Sequence, residues 1–221
     1  MIKDVEYYEF VKNKAIIKII QDDLVQCYCI DTEGNLLFKF PKNTHTFRIE
    51  NGNIFIVTNY DNYTEALFDS NGKQLTDFKY SHIIDTEEKL LKVQNSENKK
   101  WGYINLEGEE IIPCIYDDAY DYFSDGLAIV SLNGKRGAIN SNGDIVIPIN
   151  YHKLNFCSEG YIVATDTNYN QFIIDKRNNV IIPPVKYRRY YSGFFCGLIN
   201  TNDGYYNVKG EKLKIKGVEN V

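Results

Sequence analysis

Apolar residues in this chain come in short runs, each closed by a polar turn. Tyr103-Ile104 leads into Asn105-Leu106-Glu107-Gly108, and Ile111-Ile112 follows it. Thirty-five residues later Ala138-Ile139, Asn140-Ser141-Asn142-Gly143 and Ile145-Val146-Ile147 repeat the arrangement. The frame Asp/Asn-x-x-Gly gives six copies: Asp31…Gly34, Asp69…Gly72, Asn105…Gly108, Asn140…Gly143, Asp175…Asn178 and Asn207…Gly210. Their intervals are 38, 36, 35, 35 and 32 residues. A steady period of this size marks a solenoid, propeller or array. Asp or Asn opens a type I turn by bonding its own backbone, and Gly takes the left-handed position. Asn178, standing where Gly is expected, is the next most tolerant of positive φ.

The flanking runs predict two strands per hairpin. A third strand is predicted upstream in each unit: Ala15–Ile20, Ile54–Val57, Leu90–Val93, Leu127–Val130, Tyr161–Ala164 and Phe194–Leu198. Pro113, Pro148 and Pro183 each fall five residues after a turn, which places them at a strand end or on an edge with no ladder donor to lose. Val5 to Lys12 and Tyr60 to Leu67 are the only stretches allowing a short helical turn. Aromatic residues make up 14% of the chain, with 18 Tyr and 12 Phe, which favours strands further. The expectation is one all-β domain over residues 1–221, built of six units of about 35 residues. The start, Asp4 to Phe10, looks like Asp117 to Phe123, and the end, Leu213 to Val218, looks like Ile111 to Ile115. Termini that complete one unit between them suit a propeller-like ring, favoured over an open β-solenoid.

One unit reads Lys100-Trp101-Gly102-Tyr103-Ile104-Asn105-x-x-Gly108, then Ile111-Ile112-Pro113, Tyr116-Asp117 and Phe123-Ser124-x-Gly126. This resembles the WG-repeat (KWG-repeat) family of bacterial proteins, most closely in the third and fourth units. Only one unit has the literal Trp-Gly; Arg136-Gly137 and Asp203-Gly204 replace it elsewhere. The resemblance implies a β-rich repeat scaffold that binds other molecules, and it brings no catalytic motif.

The chemistry changes this picture little. His45, His82 and His152 have no partner at ligand spacing. Asp117, Asp118, Asp121 and Asp125 gather in one inter-strand loop, in an order unlike a calcium loop. Five cysteines without paired spacing, Cys27, Cys29, Cys114, Cys157 and Cys196, read as reduced thiols, and no segment reads as a leader or membrane helix. The chain is therefore expected in the cytoplasm, with no metal, no cofactor and no catalytic residue. A net charge of −5 argues against nucleic acid, although Lys186-Tyr187-Arg188-Arg189-Tyr190-Tyr191 interleaves bases with aromatics. Tyrosine gives large contact area at low entropic cost. The function expected is a non-enzymatic protein-binding module that neutralises or regulates its partner. Candidate contacts are Asp117, Asp118, Tyr120, Asp121, Tyr122, Asp125, Tyr187, Arg188, Arg189, Tyr190 and Tyr191. The rival is a ligand- or glycan-binding protein, with hydrolysis a lesser version of it. Oligomeric state is open.

Overall fold

The computed structural model describes residues 5–11, 13–21, 24–48, 54–86, 89–156, 158–185 and 197–214. These form an all-β structure of antiparallel sheets, in two compact units, Met1–Cys114 and Ile115–Val221. Among the described residues the only helix is one 3-10 turn, Ser158–Gly160, and no helix is long and apolar enough to cross a membrane.

In the first unit, β1 (Val5–Val11), β2 (Lys14–Gln21), β3 (Leu24–Asp31) and β4 (Leu36–Lys42) make a four-stranded meander. A seven-stranded sheet follows: β5 (Thr44–Arg48), β6 (Ile54–Asn59), β7 (Thr64–Asp69), β8 (Tyr80–Asp85), β9 (Leu90–Asn95), β10 (Trp101–Asn105) and β11 (Glu110–Tyr116). A single residue pair, Glu65↔Tyr80, joins β7 to β8, so this sheet is two meanders touching at one point. In the second unit, β12 (Asp118–Ala119), β13 (Leu127–Leu132), β14 (Lys135–Asn140) and β15 (Ile145–Tyr151) form one meander. Another holds β16 (Lys153–Phe156), β17 (Tyr161–Thr165), β18 (Gln171–Asp175) and β19 (Val180–Val185), and β20 (Leu198–Thr201) pairs with β21 (Gly204–Asn207).

The core lies between the faces of successive sheets within each unit. In β17, Ile162 and Ala164 pack on one side with Leu127, Ile129 and Ala138. Tyr161 and Val163 face the other side, with Ile199 and Tyr206. In β6, Phe55 and Val57 join Ile16, Cys27 and Phe40, while Ile54 joins Leu91 and Ile104. Burial on both faces is why these strands read as continuous apolar runs rather than alternating ones.

Several expectations need correction. Each meander has a first strand that the hydrophobic pattern does not show: β1, β5, β8, β12 and β16 fall outside the strands it predicts. Val5–Val11 is a strand, and Tyr60–Leu67 is a turn leading into β7. β1 pairs with β2, which builds Val5–Val11 into the first sheet. The last upstream strand runs Leu198–Thr201, and Phe194 to Cys196 lie outside the described residues. The prolines do sit on outermost strands, but Pro113, Pro148 and Pro183 stand within β11, β15 and β19, not at their ends.

Candidate functional site

The six turns share one hydrogen-bond pattern. The first residue's Oδ1 accepts the backbone N–H groups two and four residues on, as Asp31 does from Glu33 and Asn35. Asp69, Asn105, Asn140, Asp175 and Asn207 repeat this. In five turns a second bond links the first and fifth side chains, always a carboxamide to a carboxylate, as Asn105 Nδ2 to Glu109 at 2.8 Å. Asp69 has Lys73 opposite instead. The fourth residue takes positive φ: 76 to 86° at the five glycines and 66° at Asn178. Asn178 has a further task, since its Oδ1 accepts the Tyr151 hydroxyl at 2.6 Å.

Trp-Gly has an equally local cause. A Cβ on Gly102 would land against Ile112 O and within 2.8 Å of Cys114 N in the paired strand β11. Gly137 meets Ile147 and Ile149 in the same way, where the β14–β15 register shifts. Trp101 is half-buried; the Lys92 ammonium lies 4.0 Å from its ring centre, and His82 stacks nearly parallel to it at 6.0 Å. The motif is therefore scaffold: the glycine admits the outer strand, and the indole covers a lysine.

The expected acidic loop is partly strand. Asp118 and Ala119 form β12 against Ser131 and Val130. Asp117 accepts from the Asn133 backbone at 2.6 Å, and Asp118 Oδ1 accepts from Ala119 N. Asp125, with φ 53°, pairs with Lys176 at 3.1 Å. Tyr120, Tyr122 and Phe156 form a triangle of rings with centres 5.7, 6.1 and 6.2 Å apart. Tyr120 and Phe156 rest on the core between the two meanders, whereas Tyr122 is 50% exposed. Tyr187, Arg188, Arg189, Tyr190 and Tyr191 lie outside the described residues.

Two hairpin tips escaped the sequence reading. Tyr63 between β6 and β7 and Tyr169 between β17 and β18 both take positive φ, 55° and 63°. They are 72% and 70% exposed. The Tyr169 turn repeats the Asx pattern, with Asp166 Oδ1 accepting from Asn168 and Asn170. Asp166-x-Asn168-x-Asn170 was the readable signal, and Tyr169 stands where the frame expects Gly. His152 meets the Tyr169 ring edge-on at 4.5 Å.

Among the buried groups, Glu65 is held above the usual carboxylate range by burial, against the pull of the Ile83 N–H and His82. Burial likewise raises Cys27 and Cys29 and pushes Cys114 up to about 11. Among the described residues no three His, Cys, Asp or Glu side chains gather to hold a metal ion.

The family profile "WG containing repeat" matches residues 101–135 and 137–166. Those two stretches are WG repeats. No curated protein matches the chain in sequence. Among solved structures, BamB from Moraxella catarrhalis aligns over 91% of this chain and 72% of its own, at 10% identity and TM-score 0.36. Kluyveromyces lactis Hsv2 aligns over 98% and 80%, at 9% identity and TM-score 0.39. Apo AztD from Citrobacter koseri aligns over 72% and 52%, at 13% identity and TM-score 0.36.

Proposed function

We propose that this WG-repeat protein is a non-enzymatic protein-binding module of the cytoplasm, neutralising or regulating its partner. The observation that carries the reading is the pair of hairpin-tip tyrosines. A left-handed backbone costs an ordinary L-residue about 1–2 kcal/mol, and Gly or Asn relieves most of that. Tyr63 and Tyr169 take the conformation with their rings largely in water. Exposed to this degree, the rings return little burial energy to the fold. Strain of this sort collects at functional positions, and exposed tyrosine makes an effective contact anchor. Cys27, Cys29 and Cys114, buried free thiols, fit a reducing setting.

The test is capture of a partner from the source cell, its identification, and reconstitution with the purified pair by calorimetry. Tyr63→Asn and Tyr169→Asn suit the backbone and should weaken the complex by about tenfold each. Capture of no protein, with saturable binding on a glycan array, would replace this reading with the carbohydrate one.

The six-unit propeller-like ring is proposed with it. Support comes from four-stranded meanders following one another at near-equal spacing, the parts from which propellers are made. Hydrogen exchange on a chain lacking residues 1–14 tests closure. A ring loses protection near residues 205–214; an open array keeps it.

A further inference from the structure

We propose that Asn133 is a covalent modification site, where the side-chain amide closes on the Gly134 nitrogen, loses ammonia and takes up water to leave aspartate or isoaspartate at the β13–β14 tip. The site does not depend on the protein-binding reading.

The reaction needs an Asn-Gly step whose peptide can turn. Glycine has no side chain to shield its nitrogen, so that nitrogen can reach the asparagine Cγ once the peptide between the two residues rotates. The bond from the glycine nitrogen to Cγ forms and the Cγ–Nδ2 bond breaks. The amide nitrogen leaves as ammonia with the proton that the glycine nitrogen gives up. Water then opens the cyclic imide, its hydroxyl going to one carbonyl carbon and its proton to the ring nitrogen. Opening at Cγ restores the backbone with an aspartate. Opening at the main-chain carbonyl leaves isoaspartate, with the chain routed through the side chain. One water enters and one ammonia leaves.

Asn-Gly occurs at Asn51-Gly52, Asn71-Gly72, Asn133-Gly134 and Asn142-Gly143. The first lies outside the described residues, and the structure separates the other three. Gly72 N–H donates to Asp69 O at 3.1 Å, and Gly143 N–H to Asn140 O at 3.0 Å. The same two turns hold the asparagines, through Asn71 N on Asp69 Oδ1 and Asn142 N on Asn140 Oδ1. Rotating either peptide breaks a hydrogen bond, and Gly72 also lies against the Phe38 ring. Asn133 and Gly134 form a two-residue tip with φ 52° and 72°, the left-handed pair of a type I′ hairpin. Among the described residues no acceptor meets the Gly134 N–H, and nothing lies within 4 Å of where its Cβ would stand. Both residues are exposed. This peptide can turn without losing a hydrogen bond of its N–H, in the water that the second step consumes.

Conversion has a structural consequence. Asn133 N–H donates to Asp117 Oδ2 at 2.6 Å, and the hairpin closes on the pair Leu132↔Lys135. Isoaspartate lengthens a two-residue loop by one methylene. Either product puts a carboxylate on the residue that the Asp117 carboxylate holds, and like charges repel. The start of β12 is thus unfastened from the hairpin tip, slowly and irreversibly.

The experiment incubates the full chain at mildly alkaline pH, folded and in urea, and follows each Asn-Gly peptide by liquid chromatography and mass spectrometry. In the folded chain Asn133 should convert about fivefold faster than Asn71 or Asn142, the rate factor of one hydrogen bond kept. In urea the three rates should converge. Asn140→Ala, folded by its melting temperature, should speed Asn142 by about the same factor and leave Asn133 unchanged. Hydrogen exchange on the aged chain should show lost protection at Asp117 and Lys135. Equal rates at the three sites while folded, or a preference for Asn133 that persists in urea, overturns the assignment. Full conversion at Asn133 with protection at Asp117 intact overturns the unfastening.

Discussion

Two of the three turns in each four-stranded meander differ in kind. The turn after its third strand is uniform: Asp or Asn first, two backbone N–H groups on one Oδ1, and a left-handed fourth residue. The tip between the second and third strands is not. It is Asp61-Asn62-Tyr63 after β6, Ser96 to Lys99 after β9, Asn133-Gly134 after β13 and Asp166 to Asn170 after β17. Both kinds need positive φ, at Tyr63, Lys99, Asn133 and Tyr169 as well as at the glycines. At the first kind the left-handed residue is one that fits cheaply. At the second it includes two tyrosines. Some uniform turns lie on neighbouring backbone, as Gly108 does on Leu75 and Gly210 on Ile181, while the tyrosine tips project into water. One end of the meander is thus constrained by packing, and the other is left to vary.

The sharpest way to break that comparison is to crowd the packed side. Gly102→Ala should destabilise by about 3 kcal/mol, because the new methyl meets the backbone of β11 and no flexible side chain. Gly210→Ala should behave likewise, its methyl landing against Ile181 O. Gly34 has nothing within 4 Å among the described residues, so Gly34→Ala feels only its φ of 85°, about 1 kcal/mol. Urea unfolding of the three variants checks the order, and equal losses would mean that strain rather than packing sets these glycines. Gly143, at φ 86°, receives the same question with a branched side chain. Gly143→Val should cost about 1–3 kcal/mol.

A smaller effect separates the fifth turn from the rest. Sequence alone makes Asn178→Gly neutral, since glycine suits the φ of 66° better. The Tyr151 hydroxyl on Asn178 changes the sign. Losing that bond costs about 1 kcal/mol, against some relief of strain. Tyr151→Phe should lose a similar amount, and the double variant should lose little more than either alone. Full additivity in denaturant titrations would show that the two side chains are not coupled.

Acid should distinguish turns that open with Asp from those that open with Asn. At Asp175 burial acts first and raises the pKa, but the Asn179 and Arg177 contacts together outweigh it and leave it below 3.8; Asp166 behaves the same way. A depressed folded pKa gives stability that is present above the unfolded value, near 3.8, and is lost as pH falls through the lower folded one. Asp175→Asn keeps an acceptor for the same two N–H groups. It should change little at neutral pH and flatten the loss below about pH 4, read as melting temperature against pH. An unchanged acid limb would place the lost stability elsewhere.

The uniform turns were legible because their chemistry is local: an Asx side chain and a left-handed residue three positions apart leave a mark at any single copy. The third and fourth strands were legible from the apolar runs at each turn. The first strands were not. β12 is two residues long, and β5 reads Thr-His-Thr-Phe-Arg, polar residues that pair through backbone and show no apolar run. For the same reason Asp117 to Asp125 read as a loop. Tyr120 and Tyr122 were picked out for being aromatic and acidic-flanked; their company with Phe156, thirty-four residues beyond Tyr122, belongs to the packing of two meanders. Tyr63 and Tyr169 leave no such mark, because backbone φ is invisible in sequence when the residue holding it is not Gly or Asn.

Those two tips give the smallest expected change in stability and the most informative one. If the tyrosines serve the fold, removing them must cost stability. If they serve contact, removing them relieves strain. Tyr63→Gly removes a ring that is 72% exposed and places at φ 55° the residue that adopts it most easily. The unfolded chain gains entropy from the glycine, which offsets part of the relief. The net should lie within about 0.5 kcal/mol of zero, on the stabilising side. Tyr63→Asn, with less unfolded-state entropy, should sit slightly higher. Tyr169→Gly should gain less, because its ring also touches His152. Thermal unfolding measures all three, and binding to the identified partner measures the other half. A tip variant as stable as the parent that binds less well is the signature of a ring held out for another molecule. A loss of 1 kcal/mol or more at Tyr63, with binding unchanged, would return that ring to the fold.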